Sequence, residues 1–148
     1  MTRLVRFLLF SMSLGAASGP QAADFRSVQD NAAVLYDAPS RAATPLFVVQ
    51  RNYPLEVIVN LEAWVKVRDH AGALSWVEKK SLGEKRMLLV TGTSADARLR
   101  PEDGAPSVFA AAQNVVFELV EVAPNGWLRV RHADGSSGFM RASLVWGD

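Results

Sequence analysis

Apolar and polar residues alternate at period two in two similar stretches, Trp64-Val65-Lys66-Val67-Arg68 and Trp127-Leu128-Arg129-Val130-Arg131. This period predicts β-strands with one buried face. Val65 and Val67, or Leu128 and Val130, then point to a core, and Trp64 or Trp127 and the basic residues point away from it. Each stretch enters a polar turn with a glycine eight residues after the tryptophan, Gly72 or Gly135. Each returns through an aromatic-aliphatic pair, Trp76-Val77 or Phe139-Met140. Two such runs about a glycine turn predict a β-hairpin.

Around the first hairpin, Val34-Leu35-Tyr36, Leu46-Phe47-Val48-Val49 and Leu55-Glu56-Val57-Ile58-Val59 read as further strands. Asp37-Ala38-Pro39-Ser40 and Arg51-Asn52-Tyr53-Pro54 carry turn chemistry. Residues 24–32 read as a polar lead-in and residues 91–94 as loop. Residues 109–113 fit a strand or a single helical turn. The order then repeats. Asn52 aligns with Asn114, Trp64 with Trp127, Gly72 with Gly135, Trp76 with Phe139 and Ser81-Leu82 with Ser143-Leu144. Upstream, Leu99-Arg100-Pro101 is placed opposite Leu35-Tyr36-Asp37. The reading is all-β: two units of about five strands, residues 24–82 and 87–148, joined by a short linker at 83–86.

The N-terminus changes the picture. Arg3 and Arg6 precede an apolar run from Phe7 to Leu14, followed by small residues at Gly15, Ala16, Ala17 and Ser18. These are the parts of a secretory signal peptide, expected over residues 1–23 and cut after Ala22 or Ala23, or earlier after Ala17 or Ser18. The apolar run is too short to span a bilayer, and no later segment of the sequence reaches that length. Without the two leader arginines, 14 Lys plus Arg face 15 Asp plus Glu. That balance excludes nucleic acid as the main partner. The sequence has no cysteine, which rules out disulfides, a thiol nucleophile and a lipoprotein anchor. The expected location is the periplasm or the medium.

The residues Val34 to Ser40, Tyr53 to Val57, Trp64 to Asp69, Gly72 and Trp76-Val77 resemble the bacterial SH3-like (SH3b) domain. Phe117-Glu118-Leu119, Gly126 to Arg131, Asp134-Gly135, Gly138-Phe139 and Val145-Trp146-Gly147 resemble it again in the second unit. The whole chain is similar to small exported proteins with two tandem domains of this kind. The resemblance implies two small five-stranded barrels. It also implies a ligand groove between the first long loop and the loop before the tryptophan strand.

Tyr36, Tyr53, Trp64 and Trp76 form the aromatic set of the first unit. Tyr53 and Trp76 are assigned to the core. Tyr36 and Trp64 are candidates for stacking on a peptide or sugar face. Asp37, Glu56, Glu62 and Asp69 flank them, and a carboxylate there can take an amino group of a peptide stem. The site chosen is Tyr36, Asp37, Glu62 and Trp64, with binding by the second unit in doubt for want of the tyrosine. His70 and His132 sit in matching turns without metal-ligand spacing. The serines lack a nucleophile context, so no catalytic group, metal or cofactor is assigned. The resulting function is a non-enzymatic envelope binding module whose resemblance points to peptidoglycan or its peptide stems. The alternatives are an assembly module for a proline-containing segment of an envelope protein, or a purely structural tandem.

Overall fold

The computed structural model describes residues 22–148, so residues 1–21 of the expected signal peptide lie outside the described residues. The described chain is β-strand, connecting loops and two single 3-10 turns at Lys79–Ser81 and Ala142–Leu144. Among the described residues no helix is long and apolar enough to cross a membrane.

Two seven-stranded antiparallel sheets follow each other. The first holds β1 (Phe25–Val28), β2 (Ala32–Tyr36), β3 (Pro45–Gln50), β4 (Pro54–Asn60), β5 (Trp64–Arg68), β6 (Leu74–Glu78) and β7 (Leu82–Gly83). The second holds β8 (Met87–Val90), β9 (Ser94–Arg98), β10 (Ser107–Ala112), β11 (Val116–Ala123), β12 (Trp127–Arg131), β13 (Ser137–Arg141) and β14 (Val145–Trp146). Their orders, β3-β2-β6-β5-β4-β1-β7 and β10-β9-β13-β12-β11-β8-β14, are the same path run twice. The turns repeat as well. Asn52 and Asn114 take φ of 70° and 71°, and Gly72 and Gly135 take 87° and 93°.

Each sheet has seven strands where the sequence predicts five. The lead-in at residues 24–32 contains β1, which pairs with β4 and β7. Burial holds it: Val28 is fully enclosed, and the buried Ser27 donates its hydroxyl to the Lys85 carbonyl at 2.7 Å. Residues 109–112 lie in strand β10. The upstream alignment also changes. Tyr36 lies opposite Pro45 and Trp76, and Arg98 lies opposite Ser107 and Phe139. Arg98 therefore takes the place of Tyr36, two residues before the Arg100 that sequence alignment puts there. Strand β9 escapes pattern reading because its inward residues, Ala95 and Ala97, are too small to mark an apolar face.

The predicted alternation holds at the core. Val65, Val67, Leu128 and Val130 are at most 2% exposed. The two cores distribute volume differently. The first packs Leu35 and Leu55 with Val28, Val65, Val67 and Val77. The second packs Ala97 and Phe117 with Val90, Leu128, Val130 and Met140. Alanine replaces leucine on one strand while phenylalanine replaces leucine on another, so the interior stays filled.

The sheets also touch. The rings of Phe25 and Trp146 meet edge-on at 5.1 Å, and the Arg86 guanidinium lies 5.6 Å from the Phe25 centroid. Arg86 also donates to the Gly147 carbonyl at 2.9 Å. Gly147 has φ 118°, and a Cβ there would collide with the Met87 carbonyl oxygen. Only glycine fits this closing turn.

Candidate functional site

The loop between β2 and β3 is built to hold its shape. The Asp37 amide donates to the Thr44 carbonyl at 3.1 Å, and the Thr44 amide donates to the Asp37 carboxylate at 3.0 Å. The Ser40 hydroxyl accepts from the Ala42 amide at 3.1 Å. These are local side-chain-to-backbone braces of the kind Asp and Ser supply in turns. The braced loop projects Arg41 toward Glu78 at the end of β6. The two form a two-pronged ion pair, with Nη2 to Oε2 at 3.0 Å and a shorter contact from Nε to Oε1. Lys80 adds a contact at 3.5 Å to the same carboxylate. The hydrogen-bonded Arg41 guanidinium holds the Glu78 carboxyl below its ordinary value, against an opposing push from burial.

In the sheet register Glu78 lies opposite Trp64, and Trp76 lies opposite Tyr36. The Tyr36 and Trp64 rings therefore meet, edge to face at 5.7 Å, and both remain partly exposed. Beside them lies an open cavity of about 740 Å³. The loop contributes Pro39, Ser40 and Arg41 to its wall, and Glu62 and Trp64 stand across from them. Glu78, Lys79 and Lys80 complete the rim. A second cavity of about 330 Å³ adjoins it, lined by Val34, Tyr36 and Ser81. The Arg41–Glu78 clasp lines both cavities and separates them.

Of the four residues chosen from sequence, Trp64 and Glu62 line the larger cavity, and Tyr36 packs on Trp64 and lines the smaller. Asp37 lines neither cavity, and its carboxylate braces the loop. Sequence reasoning missed Arg41 and Glu78. Glu56 pairs instead with Arg68 at 3.2 Å, and Asp69 accepts from the Ala71 and Ala73 amides in its own turn. Tyr53 packs against the first core and bonds His70 Nδ1 at 2.6 Å. Burial and then the Asp69 charge raise the Tyr53 hydroxyl above its ordinary value, and the backbone amide of His70 pulls the other way. Among the described residues no three His, Cys, Asp or Glu side chains gather as a metal site.

The second unit holds the same clasp with its charges exchanged. Its loop supplies Asp103 and its strand supplies Arg141, joined at 2.5 and 3.2 Å. Arg141 lies opposite Trp127, as Glu78 lies opposite Trp64. Its guanidinium sits 4.3 Å from the Trp127 ring centroid and also donates to the Asn125 carbonyl at 3.1 Å. This cation–π lid leaves Trp127 only 3% exposed. Alternation alone predicts an outward Trp127; the structure instead buries it, with the Arg141 guanidinium against its ring. Arg98, in place of Tyr36, is tied to the Ala105 carbonyl and to Asp96, each at 3.1 Å.

The family described as bacterial SH3 domain matches residues 29–84 and again residues 92–147. No curated protein gives a significant match. Among solved structures, NlpC1 from Trichomonas vaginalis is 17% identical with a TM-score of 0.40, over 95% of this chain and 51% of its own. An NlpC/P60 family protein from Bacillus cereus ATCC 10987 is 17% identical with a TM-score of 0.38, over 82% of this chain and 55% of its own. The chain thus spans about half the length of these proteins, and a likeness this slight carries no argument about activity.

Proposed function

The chain belongs to the bacterial SH3 domain family, whose members are typically binding modules, and on that premise we propose that it is a non-enzymatic binding module of the cell envelope. In this reading the first unit binds and the second supports it. The ligand is peptidoglycan or its peptide stems, and the site is the groove of Tyr36 and Trp64. The observation that carries this reading is the partly exposed Tyr36–Trp64 pair beside a cavity with charged walls. Aromatic faces supply sequence-tolerant contact area to a peptide or sugar. Glu62 supplies a carboxylate for an amino group on the ligand.

The test is retention of the protein on purified wall sacculi at low and high salt. Wild type stays bound at high salt, and the Tyr36→Ala/Trp64→Ala double variant washes off while remaining folded. Retention that vanishes as salt rises, or that survives the double substitution, rejects the aromatic groove.

A further inference from the structure

The second unit shows what fits on a tryptophan at this position of the fold. Trp64 and Trp127 open equivalent strands, and the residues opposite them, Glu78 and Arg141, are equivalent too. On Trp127 a guanidinium lies 4.3 Å from the ring centroid, with a carboxylate, Asp103, holding it there. On Trp64 the opposing residue is a carboxylate, which the negative face of an aromatic ring repels. Glu78 is drawn away to Arg41, and Trp64 is left to line the cavity.

We infer that the first unit takes, over Trp64, a cationic group of its ligand in the position that Arg141 fills over Trp127. The second unit thus carries a tethered copy of the interaction that the first makes with a ligand. This deepens the groove reading above and rests on it. The cation is a guanidinium or an ammonium on a peptide, met by the ring face and by the Glu62 carboxylate. The same walls also carry Arg41, Lys79 and Lys80. They repel a ligand of purely positive charge, so the fitting group bears a carboxylate near its cation. The ligand class is therefore a zwitterionic peptide group, with its cation on Trp64 and its acid toward Lys79 and Lys80.

Three small probes test this on the described chain, read by the NMR signal of the Trp64 indole N–H. Nα-acetylarginine carries both charges, Nα-acetylcitrulline keeps its shape without the cation, and Nα-acetylarginine amide lacks the acid. Acetylarginine is expected to shift the Trp64 signal, with acetylcitrulline roughly fivefold weaker or more and the amide weaker than acetylarginine. Equal binding of acetylcitrulline, or no response to acetylarginine, overturns the cation site. Equal binding of the amide overturns the carboxylate half. The Arg41→Asp/Glu78→Arg double variant keeps an ion pair but places an arginine opposite Trp64, as in the second unit. It is expected to abolish the response, and an unchanged response contradicts the inference. Sacculus retention that needs Trp64, combined with equal binding of the arginine and citrulline probes, leaves the groove reading standing and removes only this inference.

Discussion

The two halves of this protein share strand order, turn geometry and a clasp between loop and strand, and they differ in which side of the clasp carries the positive charge. In the first half the loop gives Arg41 and the strand gives Glu78; in the second the loop gives Asp103 and the strand gives Arg141. An exposed ion pair contributes little to stability in either polarity. The consequence for the neighbouring tryptophan is large. A strand arginine can lie on the indole and close it, and a strand glutamate cannot. One exchange of charge, neutral for the fold, leaves one tryptophan on a cavity wall and buries the other.

The largest effects are expected where the two cores solve one packing problem with different residues. Leu35→Ala removes a side chain 1% exposed and should cost about 3 kcal/mol in urea unfolding. Adding Leu55→Phe, which copies the pairing of Ala97 with Phe117, should restore about 1 kcal/mol. A double variant no better than the sum of the singles would break the equivalence of the two cores.

Next in size is the contact that joins the halves. Trp146→Ala removes the ring packed on Phe25 and should cost about 2 kcal/mol. Calorimetry should then resolve two transitions in place of one, because each sheet retains its own core. A single unshifted transition would mean that the contact carries no coupling.

Arg141→Ala should cost about 1 kcal/mol and uncover Trp127. The Trp127 indole signal should move and become accessible to a soluble quencher, with Trp64 unaffected. Continued protection of Trp127 would show that something other than the guanidinium closes that ring.

The smallest effect is that of acid. The Arg141 guanidinium holds the Asp103 carboxyl below its ordinary 3.8, and Arg41 holds Glu78 below its ordinary 4.5. A carboxylate with a lowered folded value adds stability at pH above its unfolded value and loses it as pH falls through the folded one. The clasps should therefore persist through neutral and mildly acid pH. Trp127 should begin to open only below 3.8, and Asp103→Asn should remove that step. Opening above pH 5 would contradict the assignment.

Much of this was legible in the chain. The tryptophan hairpins announce themselves because Val65, Val67, Leu128 and Val130 alternate with charged residues, and buried faces impose that period. Tyr36 and Trp64 stand out as aromatics next to turn signals. Strands β1 and β9 were hidden because one opens from a polar stretch and the other turns only alanines inward. The clasps were hidden for another reason. Arg41 and Glu78 lie 37 residues apart, and Arg141 and Asp103 lie 38 apart. Surface ion pairs between a loop and a strand leave no periodic trace. Yet once the halves are aligned through Asn52 and Asn114, the exchange of Arg…Glu for Asp…Arg is a compensated reversal. That was the signal available in the sequence.

The most direct test of the account is retention on wall sacculi by three proteins at high salt: wild type, Arg41→Asp/Glu78→Arg and Arg141→Ala. The account predicts that Arg141→Ala is retained at least as well as wild type, and that the charge exchange in the first unit, though folded, is not retained. Retention of the exchanged protein at the wild-type level would contradict the claim that clasp polarity decides which half is open to a ligand.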